Sequence, residues 1–167
     1  MKFDYKPVLK GELLELRPLL ESDFDGLYAV ASDPNVWKLH PEKDRYKREV
    51  FERYFCEAVK SDAALTALDT KDGSVIGTSR FHGYDTQKSE IEIGWSFLSR
   101  TCWGGLYNGE MKKLMIDHAY HYVNNVLFII GKENLRSQKA AEKIGAELID
   151  DSYIRGGLEN VVYRISR

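Results

Sequence analysis

The sequence predicts a mixed α/β fold, a mostly antiparallel twisted sheet flanked by helices. Three observations lead there. AALTALDT and VIGTSRFHG are strand-like runs joined by KDGS, a Gly-containing turn that signals a β-hairpin. SEIEIGWSFL, at 89–98, alternates at the two-residue period of a strand. That strand feeds a helical pattern, then the short apolar run NVLFII at 125–130, then a second helical pattern. Antiparallel pairing followed by strand–helix–strand makes the sheet mixed. At 167 residues the chain fits one domain, 1–167, with a single sizeable core.

In order, GELLELRPL at 11–19 reads as an opening strand. Ser22 is placed to cap a helix over 23–31, whose N-terminus favours Asp23 and Asp25. A turn at Asp33–Pro34–Asn35 follows, and Pro41 delays the next element. RYKREVFERYFCEAVK, 45–60, spaces Val50, Phe51, Tyr54, Phe55 and Ala58 as one helical face. Its arginines are offset by Glu49, Glu52 and Glu57, which describes a solvated face rather than a nucleic-acid stripe. Along 89–98, strict alternation puts Ile91, Ile93, Trp95 and Phe97 on one side and Glu90, Glu92, Gly94, Ser96 and Leu98 on the other. A helix near 105–123 follows, then the strand 125–130 and a short helix 137–144 stopped by Gly145. The end, ELIDDSYIRGGLENVVYRIS, is a second hairpin around Gly156–Gly157.

Bulk composition excludes several classes of function. A net charge of −2 gives no global attraction to nucleic acid or to an anionic membrane, and is too small to choose an acceptor. Cys56 and Cys102 form neither a metal-ligand spacing nor a disulfide framework, and no run is long enough to span a bilayer. The N-terminus lacks the apolar core of a signal peptide, so the expectation is a soluble, cytoplasmic protein. His118 and His121 lie one turn apart without a third ligand, so no metal is expected. Cys102 has no identifiable His/Asp partners for nucleophilic catalysis.

The chemistry-bearing stretch is CWGGLYNGEMKK, 102–113. A strand feeding a Gly-rich loop into a helix N-terminus is a recipe for holding phosphate, because the first helical amides lack intrahelical partners and the macrodipole adds positive charge. The loop matches neither GxxxxGK[ST] nor a full GxGxxG after an early strand, which argues against a nucleoside triphosphate or dinucleotide site.

Downstream, FIIGKENLRSQKAAEKIGAE at 128–147 completes a pattern that resembles the GNAT family of acetyl-CoA-dependent N-acetyltransferases. The branch it is most similar to contains the ribosomal-protein alanine acetyltransferases. LRPLLESDFDGLYAVASDPNVWK and GSVIGTSRF resemble the family's opening and middle hairpin, while the blocks 92–110 and 134–146 are the specific part. The family's loop runs Gln or Arg, x, x, Gly, x, Gly or Ala; here those positions hold Trp103, Gly104, Gly105, Leu106, Tyr107 and Asn108. Leu106 replaces a usual glycine, which leaves the amides available if Leu106 is helical.

The resemblance implies direct attack of a primary amine on acetyl-CoA. Phe97 and Leu98 then supply a backbone amide to the thioester carbonyl. Trp103, Gly104, Gly105, Leu106, Tyr107, Asn108 and Gly109 hold the pyrophosphate. Asn134 and Ser137 meet the pantetheine arm, and Arg136, Lys139, Lys112 and Lys113 supply cations. Glu92 becomes the candidate base, with Glu90 on the same side. Ser137 becomes the proton donor to the thiolate, or alternatively the cap of helix 138–144. Trp37, Tyr46, His82 and Tyr84 are candidates for the acceptor pocket. The acceptor is a protein N-terminus or a small amine, and exposed sheet edges are compatible with a homodimer. Two other classes stay open: a catalytically silent CoA-binding module, motivated by Leu106 and by the lack of the family's tyrosine after Asn134, and a nucleotide-binding regulatory domain.

Overall fold

The computed structural model describes residues 2–167. Its strands are β1 (Leu9–Lys10), β2 (Leu14–Pro18), β3 (Ala64–Asp69), β4 (Val75–Asp85), β5 (Glu90–Leu98), β6 (Asn125–Gly131), β7 (Glu147–Arg155) and β8 (Leu158–Ser166). The helices are α1 (Phe24–Ala31), α2 (Arg48–Ser61), α3 (Tyr107–Ala119) and α4 (Leu135–Lys143). All eight strands form one sheet in the order β1-β2-β3-β4-β5-β6-β8-β7. Only the β5–β6 pair is parallel. The mixed, mostly antiparallel sheet expected from the hairpin signals is the one found.

Two cores lie on opposite faces. Met111 and Met115 of α3 and Ala141 of α4 join Ile91, Ile93 and Phe128 in one. Leu27 of α1 and Phe51 and Tyr54 of α2 join Trp37 and Phe97 in the other. The helical spacing of 45–60 therefore identified the buried face of α2, although its first turn begins at Arg48 rather than Arg45.

Strand β5 departs from strict alternation, and this is the main correction. The β4 register runs from Thr78↔Phe97 to Arg80↔Gly94, so two residues on β4 oppose three on β5. The extra residue is a bulge at Trp95, whose φ of 52° is rare for a bulky side chain. One inserted residue inverts the faces beyond it. Leu98 thus joins Ile91 and Ile93, while Phe97 crosses to the α1–α2 side with Trp95 packed beside it. Opposite the bulge, a Cβ on Gly77 would lie 2.1 Å from the Phe97 carbonyl oxygen, so only glycine permits this approach.

Smaller differences have local causes. Ser22 does not cap α1; it lies in a 3-10 turn, Glu21–Asp23. Asp23 is buried and forked by Arg17, with Nη–O distances of 2.8 and 2.7 Å. It also accepts from the Thr66 hydroxyl and the Leu20 amide. Helix α4 starts at Leu135 because Asn134, not Ser137, is its cap, accepting from the Ser137 amide at 3.3 Å.

Candidate active site

The parallel pair β5–β6 is hydrogen-bonded only through Glu90↔Asn125, Ile91↔Val126 and Glu92↔Leu127. Beyond these residues both strands continue but no longer pair, so they splay and leave the β6-facing backbone groups of β5 without a strand partner. A cleft of about 630 Å³ opens at the splay. Ser96, Phe97 and Leu98 of β5 line it, as do the loop before α3 and the first turns of α3 and α4.

The loop is shaped for an anion. Trp103 donates its indole Nε1–H to the Leu98 carbonyl at 3.0 Å, tying the loop to the end of β5. Gly104 has φ of 69°, the left-handed conformation that favours glycine. Leu106 has φ −91° and ψ −14°, helical dihedrals, and the residue is 74% exposed. The condition for tolerating a leucine here is therefore met. The backbone amides of residues 104–109 donate to no described residue. These free donors stand at the N-terminus of a 13-residue helix, where the dipole adds positive charge. Glu110 fixes that helix from behind, accepting from the amides of Glu12, Leu13 and Leu14 at 2.9 Å each.

Cations converge on the same cleft. Arg136 lies over the Trp103 ring, its Cζ 3.8 Å from the centroid, and donates to the Val36 carbonyl. Lys112, half-buried above the Phe128 ring at 5.1 Å, is lowered by desolvation to about 8. Lys113 also lines the cleft, and so does Lys143, which the sequence did not single out.

Of the sequence candidates, Phe97, Leu98, Trp103, Gly104, Gly105, Leu106, Asn108, Gly109, Asn134, Arg136 and Ser137 are brought together on this one cleft. Three are not among its lining residues. Tyr107 turns away to donate to Asp69 at 3.0 Å. Lys139 is solvent-exposed on α4. Glu92 is buried and its two oxygens accept from Arg155 Nη1 and Nη2 at 2.9 and 2.7 Å. Because Asn134 serves as the α4 cap, the Ser137 hydroxyl is left without a described partner on the cleft wall.

With that geometry in view, the comparisons are decisive. The acetyltransferase (GNAT) domain model matches residues 14–147. The chain belongs to the GNAT acetyltransferase family. Solved GNAT folds overlay on it closely. A GCN5-related N-acetyltransferase from Brucella melitensis has TM-score 0.81 and 21% identity, over 97% of this chain and 78% of that one. An acetyltransferase from Agrobacterium tumefaciens has TM-score 0.69 and 23% identity over 100% and 98%. A proposed ribosomal-protein-serine acetyltransferase from Vibrio cholerae has TM-score 0.74 and 12% identity over 96% and 98%. At these identities the likeness establishes the fold alone. No curated protein matches the sequence.

GNAT acetyltransferases use acetyl-CoA as co-substrate, and the donors of this cleft suit a pyrophosphate. Among the described residues no group of three or more His, Cys, Asp or Glu side chains is arranged to hold a metal. His118 instead contacts the Asp4 carbonyl at 2.8 Å. Burial pushes the Cys102 thiol up, away from the thiolate a covalent route would need. No described helix is long and apolar enough to cross a membrane.

Sequence reasoning missed His40 and Arg155. His40 lines the cleft, and burial, together with Arg45 and Arg136, pushes it down to about 3, so the ring is neutral. Arg155 lies 63 residues from Glu92, and no local spacing announces such a pair. Of the acceptor-pocket candidates, Trp37 lines the cleft. His82 packs edge-on against Trp95 at 5.2 Å, Tyr84 lies against Phe3, and the Tyr46 carbonyl accepts from Tyr28.

Proposed function

We propose that the chain is a single N-acetyltransferase domain that moves an acetyl group from acetyl-CoA to a primary amine by direct attack in a ternary complex. The observation that carries this reading is the convergence, on one cleft at the β5–β6 splay, of a free-amide loop, which its glycines announce in the sequence, and the Asn134–Ser137 turn, which the resemblance supplies.

In this reading residues 104–109 hold the pyrophosphate through their amides, and Lys112, Lys113 and Arg136 add positive charge. Asn134 and Ser137 meet the pantetheine arm. Acetyl-CoA, when bound, supplies the activated acyl group. The β6-facing amides near Phe97–Leu98 donate to the acyl oxygen as negative charge develops there, the kind of preorganised donor that is often the largest catalytic term. The amine nitrogen forms the new C–N bond, the C–S bond breaks, and the amine's proton passes to solvent or a base. Glu92 takes that proton through water, using lone pairs that Arg155 leaves free. Ser137 hydrogen-bonds the departing sulfur. An α-amine near pKa 8 loses its proton at pH 7 for about 1.4 kcal/mol, a lysine near 10.4 for roughly 4.6, so an α-amine acceptor makes the smaller demand on the base.

The branch closest to the ribosomal-protein alanine acetyltransferases remains our reading of the loop and of ENLRSQKAAEKIGA; the role proposed for the Vibrio cholerae neighbour is in keeping with it. The exposed edge strand β7, with Leu148 and Ile154 open to solvent, supports a homodimer. Neither nucleic acid nor membrane enters as a partner, and a cytoplasmic location completes the reading. Its test is CoA release, followed by a thiol reagent, from acetyl-CoA and a panel of α-amines, lysine side chains and N-terminal peptides. Amine-dependent release supports an enzyme; acetyl-CoA binding without turnover of any amine would leave the silent binding module.

A further inference from the structure

On the α1–α2 side of the sheet two arginines lie close together, and neither has an ion-pair partner among the described residues. Arg80, on β4, is 6% exposed, and its Nε and Nη2 are buried without a hydrogen-bond acceptor among the described residues. Its guanidinium lies over the Trp95 ring at 4.6 Å. Arg45 lies over Tyr54 at 4.7 Å and Trp37 at 5.4 Å. Among the described residues its guanidinium has one close polar neighbour, His40 Nε2, 3.3 Å from Nη1. That contact does not satisfy it. His40 Nδ1 accepts from the Glu42 amide at 2.9 Å, and a neutral imidazole has one acceptor, so Nε2 carries the hydrogen and faces a second donor.

The nearby carboxylates do not complete the set. Glu92 already accepts from Arg155 at both oxygens and makes no hydrogen bond to Arg80. Glu42 and Glu57 are exposed, and neither makes an ion pair with either guanidinium among the described residues. A buried cation without a counter-ion is expensive to hold, and an unpartnered guanidinium presents a planar fork that fits a carboxylate or phosphoryl group.

Neither arginine lines the cleft itself, but Arg45 lies over Trp37, which does. Trp37, Phe97 and His40 line the cleft. Trp37 and Phe97 touch each other at 5.1 Å, and Tyr54 touches both, at 6.4 and 6.0 Å. Tyr54 also donates to the Trp95 carbonyl at 2.7 Å, holding the bulge that sits under Arg80. The aromatic wall thus has the β5 end on one side and the Arg45–Arg80 pair on the other.

We propose that the acceptor is a small amine bearing an anionic group, a carboxylate in the first instance, which Arg80 and Arg45 bind while the amine faces Phe97–Leu98. The inference rests on the acetyltransferase reading above and names its substrate class. It also runs against the whole-molecule charge of −2, which does not report the local field.

The test measures CoA release with matched acceptors of one skeleton: an α-amino acid, its carboxamide and its aminophosphonate, in wild type, Arg80→Met and Arg80→Lys. Acetyl-CoA binding is measured on each protein by calorimetry. The wild type is expected to favour the carboxylate over the carboxamide by roughly 10- to 100-fold in kcat/KM, the range for a hydrogen bond to a charged group. Arg80→Met is expected to bring the ratio close to one while melting at or above the wild-type temperature, and Arg80→Lys to keep part of the preference. Preference for the phosphonate would support the anionic class with a larger oxyanion. Equal use of carboxamide and carboxylate, an unchanged ratio in Arg80→Met, or no turnover of any anionic amine by a protein that binds acetyl-CoA would each overturn the inference. Failure to bind acetyl-CoA would instead remove the transferase reading beneath it.

Discussion

Arg155→Met isolates the ion pair that locks β7 to β5 beside the cleft. The Glu92 side chain is 6% exposed and that of Arg155 36%, so the two partners are not equivalent. Losing Arg155 strands a carboxylate that water scarcely reaches, and breaking a buried pair in this way costs about 3–5 kcal/mol. Arg80 lies close enough to attract Glu92, which recovers part of the loss and brings the expected cost to about 2–4 kcal/mol. Glu92→Gln is milder. The amide still accepts, and Arg155 keeps a third of its side chain in water, so about 1–2 kcal/mol is expected. Urea unfolding, with the midpoint and slope fitted together, reads both values. In melting experiments about 2–4 °C per kcal/mol applies to a chain of this size. The double variant should be more stable than Arg155→Met alone, because removing both charges leaves neither stranded. A Glu92→Gln cost equal to or above that of Arg155→Met, or both within about 0.5 kcal/mol of wild type as for an exposed pair, would refute the reasoning.

Gly104→Val forces a β-branched residue into a left-handed conformation at φ 69°; a loss of about 1–3 kcal/mol of stability and at least a tenfold weaker acetyl-CoA isotherm are expected. Leu106→Gly should change acetyl-CoA affinity by less than about threefold, because Leu106 is largely exposed and its backbone is already helical with the amide free; a large gain in affinity would contradict this. Desolvation lowers Lys112 to about 8, so it is cationic below that value, and acetyl-CoA affinity should fall between pH 7 and 9. Lys112→Met should abolish that part of the pH dependence in calorimetric titrations.

The elements were legible because their signals are local. The hairpin turns, the apolar face of α2 and the loop before α3 each announce themselves within a dozen residues, and a resemblance joined the loop to Asn134. What stayed hidden depends on contacts across the chain. Strict alternation misplaced Trp95, Phe97 and Leu98 because the bulge at Trp95 shows only in the pairing with β4. Gly94 beside it and Gly77 opposite were the available signs, since an isolated glycine in a strand marks a bulge or a close approach. The start of α4 was read two residues late because Ser137 and Asn134 are both good caps, and the backbone selects Asn134. Glu92 read as a candidate base, but the identity of its partner stayed hidden because Arg155 arrives from β7, and Arg80 read as one strand residue among others. Its significance lies in what the fold fails to place around it.

The most direct measurement is a calorimetric titration of the protein with acetyl-CoA, with desulfo-CoA and ATP as comparisons. Submillimolar binding of acetyl-CoA and desulfo-CoA, with no heat from ATP, is expected if the 104–109 amides and the Asn134–Ser137 turn form one acyl-CoA site. Absence of acetyl-CoA binding, or equal binding of ATP, would contradict it.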